Sequence, residues 1–169
     1  MPASNAVPTD NNRFDSLTPA SLSKSEKSAV VALALSVVSE RCRPGRAFRS
    51  PSDFENFLRL KLAGRRNEVF GAISLNSRNR LIGIDELFNG TIDAATVYPR
   101  VVVQKAMESN AAAVAVFHTH PSGVAEPSEA DRHITQRLSD ALSLVDVRLL
   151  DHFVVTDGEV FSFARRGLL

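Results

Sequence analysis

Residues 111–145 read AAAVAVFHTHPSGVAEPSEADRHITQRLSDALSLV, and three regimes follow one another along them. AAAVAVFH has strand length and is apolar until its last residue, which predicts a strand buried on both faces. Pro121, Gly123 and Pro127 then build a tight loop that turns the chain back. From Ser128 onward Ile134, Leu138, Ala141, Leu142 and Val145 recur at helical spacing, with Asp131 in the first turn. A buried strand followed at once by an amphipathic helix is the building unit of a layered α/β fold.

The flanking sequence extends that unit on both sides. Upstream, EVFGAISLN and RLIGIDELF bracket the turn Ser77-Arg78-Asn79 and predict a hairpin or meander. GTIDAATV reads as a connector, and Pro99 starts a helix running to about Ser109. Downstream, VRLLDHFVV and EVFSFA predict two strands around the turn signal Asp157-Gly158. Nearer the N-terminus, KSEKSAVVALALSVVSERC reads as a helix capped by Ser23 or Ser25, with Val30, Leu33, Ala34 and Val37 on one stripe. A second helix opens at Pro51 and carries Phe54, Phe57 and Leu58 on one face. Residues 1–22, rich in Pro, Ser, Thr and Asn, bury little and read as a flexible tail. The expected organisation is that tail followed by one domain over 23–169, an α/β (α+β) sandwich with a mixed central sheet flanked by helices.

Composition narrows the function classes. Of 169 residues, 20 are Lys or Arg and 19 are Asp or Glu, so no net field draws the chain to nucleic acid or anionic lipid. Arg41, Arg43, Arg46 and Arg49 form a local basic cluster, read as a solvated loop face. Cys42 stands alone, which rules out a disulfide framework and a cysteine-based zinc cluster. A single thiol without a secretory leader fits a reducing, cytoplasmic setting, and no apolar run reaches the length of a membrane span.

The chemistry concentrates where the strand ends. Residues i and i+2 of a strand share a face, so His118 and His120 project together. Asp131 sits in the first turn of the helix after the loop, where it can converge on them. Two imidazoles and a carboxylate, with a fourth position open, form the donor set of a catalytic zinc site. Ser128-x-x-Asp131 is equally the pattern of a capping box, with Ser128 capping the helix and Asp131 favourably placed at its N-terminus. His133, two positions past Asp131, turns away from it and reads as a surface residue. His152, in a buried strand, reads either as a hydrogen-bonded core residue or as a partner orienting the site.

At these residues the chain resembles a known family. His118-x-His120-Pro121, six residues, then Ser128-x-x-Asp131 is similar to the JAMM motif of the JAB/MPN metalloproteases. With GTIDAATVYPR upstream and LLDHFVV downstream, residues 25–169 resemble the RadC-like branch. Thr119 stands where that branch usually carries Asn, and a helix-hairpin-helix region found in longer RadC proteins is not expected here. The resemblance implies an MPN, cytidine-deaminase-like architecture and one zinc per chain held by His118, His120 and Asp131. It implies a general base in the E-V-x-G pattern, which Glu68 fills in NEVFG, with Glu86 at the end of the next strand as the reserve candidate. Ser128 would, by the same resemblance, donate to the developing oxyanion. The implied activity is hydrolysis of peptide or isopeptide bonds, with a peptide or protein as the partner and its identity open.

Other classes fare less well. A nucleobase deaminase needs H-x-E and P-C-x-x-C, which a chain with one cysteine and no H-x-E cannot supply. A nucleic-acid-associated repair factor is opposed by the balanced charge. A non-catalytic accessory protein of MPN fold is the remaining alternative; such relatives usually lose motif ligands, and this chain keeps all of them.

Overall fold

The computed structural model describes residues 17–41, 44, 51–90 and 97–169. Residues 1–16, Cys42, Arg43, Arg46, Arg49 and most of the connector, 91–96, lie outside the described residues. The chain divides after Leu33 into two compact units.

Before that point, a turn at Thr18–Ser21 leads into helix α1 (Lys24–Arg41). Ser23 rather than Ser25 caps it: the Ser23 hydroxyl accepts from the Glu26 N–H at 3.3 Å, and the Glu26 carboxylate accepts from the Ser23 N–H at 2.8 Å. The stripe expected to face a core differs from the structure. Val30 and Leu33 are exposed, as is Val37 beyond the division, while Val38 packs against the core of the second unit. AVVALALSVV, residues 29–38, is apolar nearly all round, so helical period alone singles out no face there.

From Ala34 onward the described elements form helices on a five-stranded mixed sheet. Helix α2 (Pro51–Leu62) is followed by strands β1 (Val69–Leu75) and β2 (Leu81–Asn89). Helix α3 (Pro99–Glu108), strand β3 (Ala113–Thr119), helix α4 (Glu129–Ser143) and strands β4 (Arg148–Val155) and β5 (Val160–Ser162) complete the order. Across the sheet the strands run β2-β1-β3-β4-β5. β1 pairs antiparallel with β2 and with β3, whereas β3 and β4 are parallel and joined through α4. The hairpin turn takes the left-handed conformation at Asn79 (φ 52°), which asparagine tolerates.

The predicted double burial of β3 holds and sorts its side chains. Ala113, Ala115 and Phe117 join Phe54, Phe57 and Leu58 of α2 on one face of the sheet. Val114 and Val116 point the other way, into a core built with Val102 and Ala106 of α3 and Leu138 and Leu142 of α4. A register shift between Phe70 and Gly71 sends both Leu87 and Phe88 of β2 toward this second core. Among the described residues no helix is long and apolar enough to cross a membrane.

Candidate metal centre

His118 continues the α3/α4 face of β3, its ring stacked on Phe70 at 6.2 Å between centroids. His120 lies one residue past the strand, yet its N–H donates to the Val155 carbonyl at 2.9 Å. That bond extends the ladder with β4, so the two histidines keep one face. Helix α4 begins directly opposite. Its cap is the expected box: the Ser128 hydroxyl accepts from the Asp131 N–H at 3.2 Å, and Asp131 Oδ2 accepts from the Ser128 N–H at 2.7 Å and hydroxyl at 2.5 Å. The box orients the Asp131 carboxylate while leaving Oδ1 toward His118.

Three donor groups thereby meet. His118 Nε2 and His120 Nε2 are 2.9 Å apart, Asp131 Oδ1 lies 3.1 Å from the first and Oδ2 lies 3.4 Å from the second. The His120 Nδ1–H donates to the Val124 carbonyl at 2.8 Å, which in the neutral ring leaves Nε2 as the free lone pair. Burial opposes the Asp131 charge, but the His118 and His120 imidazoles and the Ser128 hydroxyl beside it outweigh it and hold the carboxyl well below the usual range. The reciprocal bond to Asp131 raises the His120 pKa against the effect of burial, with smaller help from Val124 and from the charges of Asp131 and Glu68. His118, His120 and Asp131 bring one ligand atom each within 4.8 Å of one another. Two nitrogens and a carboxylate oxygen in a half-buried cleft fit a borderline divalent cation such as zinc.

The remaining predicted residues separate cleanly. Glu68, half-buried just ahead of β1, lines the same cleft as His118, His120, Ser128 and Asp131. Its backbone is fastened on both sides: the Glu68 carbonyl accepts from Gly90 N–H at 2.8 Å, and Thr119 Oγ accepts from Val69 N–H at 2.9 Å. Thr119, the residue that departs from the RadC pattern, thus stitches the end of β3 to the segment carrying Glu68. Glu86 pairs with Gly71 on the opposite face of the sheet, where Arg65 holds its two oxygens at 2.9 and 3.1 Å. His133 is exposed.

His152 is fully buried, and burial pushes its pKa well below the ordinary value, so the ring is neutral. Its Nε2 lies 2.8 Å from His118 Nδ1, so it is a hydrogen-bonded core residue in contact with the donor set. Sequence reasoning missed Thr135, whose Oγ lies 2.6 Å from His152 Nδ1. Its signal was present: with Leu138 and Leu142 it forms the buried stripe of α4, and it is the polar member.

Replacing Ser128 with Ala is expected to cost about 0.5–2 kcal/mol through the lost cap. Thermal melts check this, and a variant melting like the parent would show that the box contributes nothing.

The RadC-like JAB domain family model matches residues 48–168. A UPF0758 protein of Vibrio atlanticus is 53% identical over 139 residues, covering 82% of this chain and 62% of the relative. Those of Marinobacter nauticus, 52% identical over 141 residues, and Stutzerimonas stutzeri, 50% over 139, cover 83% and 82% of this chain and 63% and 62% of their own lengths. The chain therefore spans a little over three fifths, 62–63%, of the curated relatives it matches.

Proposed function

The chain belongs to the RadC-like JAB domain family, and from that premise we propose that it is a zinc-dependent hydrolase of peptide or isopeptide bonds. The observation that carries the reading is one cleft holding a His-His-Asp donor set and, beside it, a half-buried carboxylate outside that set. His118, His120 and Asp131 hold the metal, which when bound supplies Lewis acidity toward a substrate carbonyl and toward water. Glu68 accepts a proton from the attacking water and delivers it to the leaving amine. The water oxygen bonds to the carbonyl carbon as the C–N bond breaks, so atoms and protons balance. Ser128 swings its O–H from Asp131 to the carbonyl oxygen as negative charge develops there. Phe70, Val97 and Ile134 give the cleft an apolar wall that strengthens these interactions by excluding water. The balanced charge, 20 cationic against 19 anionic side chains, favours a peptide or protein partner over nucleic acid, and the lone Cys42 suits the cytoplasm.

Unbiased cleavage profiling on a peptide library, with zinc-loaded and chelator-stripped protein side by side, tests the activity. Metal-dependent cleavage supports it; zinc bound without any turnover assigns the chain to the accessory role instead. The metal itself is tested separately by elemental analysis. One zinc per chain is expected in the parent and almost none in His120→Ala, because removing one of three ligands leaves two donors and open solvent. Equal zinc in both would dismiss this ligand set.

A further inference from the structure

We propose that Thr135 and His152 act as positioning residues: they form a relay that fixes which nitrogen of His118 carries the proton, and so keep its Nε2 open for the metal. The inference deepens the metal reading above and depends on it for its purpose, though not for its test. The direction of each hydrogen bond follows by elimination from the chain's far end. The Asp131 carbonyl can only accept, so the Thr135 hydroxyl, 2.5 Å away, must donate to it. That spends the single Thr135 proton. Thr135 Oγ must then accept from His152 Nδ1–H at 2.6 Å. His152 is fully buried between Phe163 and Phe70, an apolar setting that holds an uncharged ring, so a protonated Nδ1 leaves Nε2 as an acceptor. His118 Nδ1, 2.8 Å from that acceptor, is the donor, and the His118 lone pair falls on Nε2, the atom facing His120 and Asp131.

Reversing the relay would leave the single Thr135 proton to serve two acceptors, the Asp131 carbonyl at 2.5 Å and His152 Nδ1 at 2.6 Å. If His152 instead carried its proton on Nε2, His118 Nδ1 would have to accept, and His118 would carry its own proton on the ligand atom. The His152 ring is also held in place: it stacks on Phe163 at 4.9 Å and meets Phe70 edge-on at 5.7 Å. The relay begins and ends on Asp131, using its backbone carbonyl at one end and its carboxylate at the other. Helix α4 therefore sets both a ligand and the tautomer of a second ligand from the same residue.

The test uses ¹⁵N-labelled, metal-free protein at alkaline pH. Long-range ¹H–¹⁵N spectra of the imidazole rings report the tautomer directly. The parent should show His118 protonated at Nδ1; protonation at Nε2 there would overturn the proposal outright, whatever the variants do. Thr135→Val keeps the shape and removes the acceptor for His152 Nδ1–H. His152 should then move its proton to Nε2, and His118 should move its own to the ligand nitrogen. Zinc affinity, read by competition with a chromophoric chelator, should fall about 10- to 100-fold, and Thr135→Ser should restore both readouts. An unchanged tautomer or an unchanged affinity in Thr135→Val defeats the proposal. Should the parent bind no zinc at all, the metal reading fails, while the metal-free spectra still decide whether the relay sets His118.

Discussion

Glu68→Gln protein loaded with zinc is expected to keep its metal and its fold while losing hydrolysis by about 100- to 10,000-fold. The side chain lies outside the donor set of His118, His120 and Asp131, so the change leaves metal content alone. The backbone around it is held by Gly90 N–H and by Thr119, neither of which depends on the carboxylate. Glutamine preserves the size of the group and removes its ability to take a proton at neutral pH. The measurement is kcat/KM on the best peptide from the library, with zinc content and melting temperature taken on the same preparation. Activity within a few-fold of the parent would mean another group carries the proton. Glu86 could not take over readily, because it sits on the other face of the sheet with Arg65 clamped to both oxygens.

Gly71→Ala is expected to destabilise the fold by on the order of 3 kcal/mol, at the upper end of what overpacking usually costs. An added Cβ would lie 2.2 Å from Phe117 Cζ and 2.5 Å from the Asp85 carbonyl oxygen. Phe117 is fully buried and crosses β1 at this glycine, and the carbonyl belongs to the paired strand β2. Neither obstacle can withdraw without opening a core or a ladder. For a chain of this size the melting temperature should fall by roughly 6–12 °C. A variant melting within about 2 °C of the parent would show that the Phe117 ring yields cheaply. The result also separates the roles inside the E-V-x-G pattern: Glu68 faces the cleft, whereas Gly71 is there so that an aromatic ring can pass.

What could be read without coordinates follows from how local each signal is. The strand, loop and helix of residues 113–143 were legible because burial, turn residues and cap lie in consecutive sequence. The convergence of His118, His120 and Asp131 was legible for the same reason. The placement of Glu68 and Glu86 on opposite faces of the sheet was not, since both end or begin an apolar strand. It is decided by the register of β1 with β2, which pairs Glu86 with Gly71 and leaves Glu68 on the side of Phe70. Thr135 was passed over because a threonine within an apolar stripe reads as filler until His152 is seen beside it. The face of α1 was misread because that helix is apolar on nearly every side.

The stitch made by Thr119 joins two parts of the site that lie far apart along the chain. Every group that would grip the metal, and the relay behind it, belongs to one continuous length of chain from β3 through α4 to β4. Glu68, the proposed proton carrier, arrives from a different length, ahead of the β1–β2 hairpin, and is attached mainly through backbone ladders and one hydroxyl. Capture and turnover are therefore open to selection independently. On the proposed mechanism, a change confined to the residue before β1 would remove turnover and leave the three metal-holding side chains in place. A fold divided in this way lets metal holding and the proposed proton transfer be altered separately.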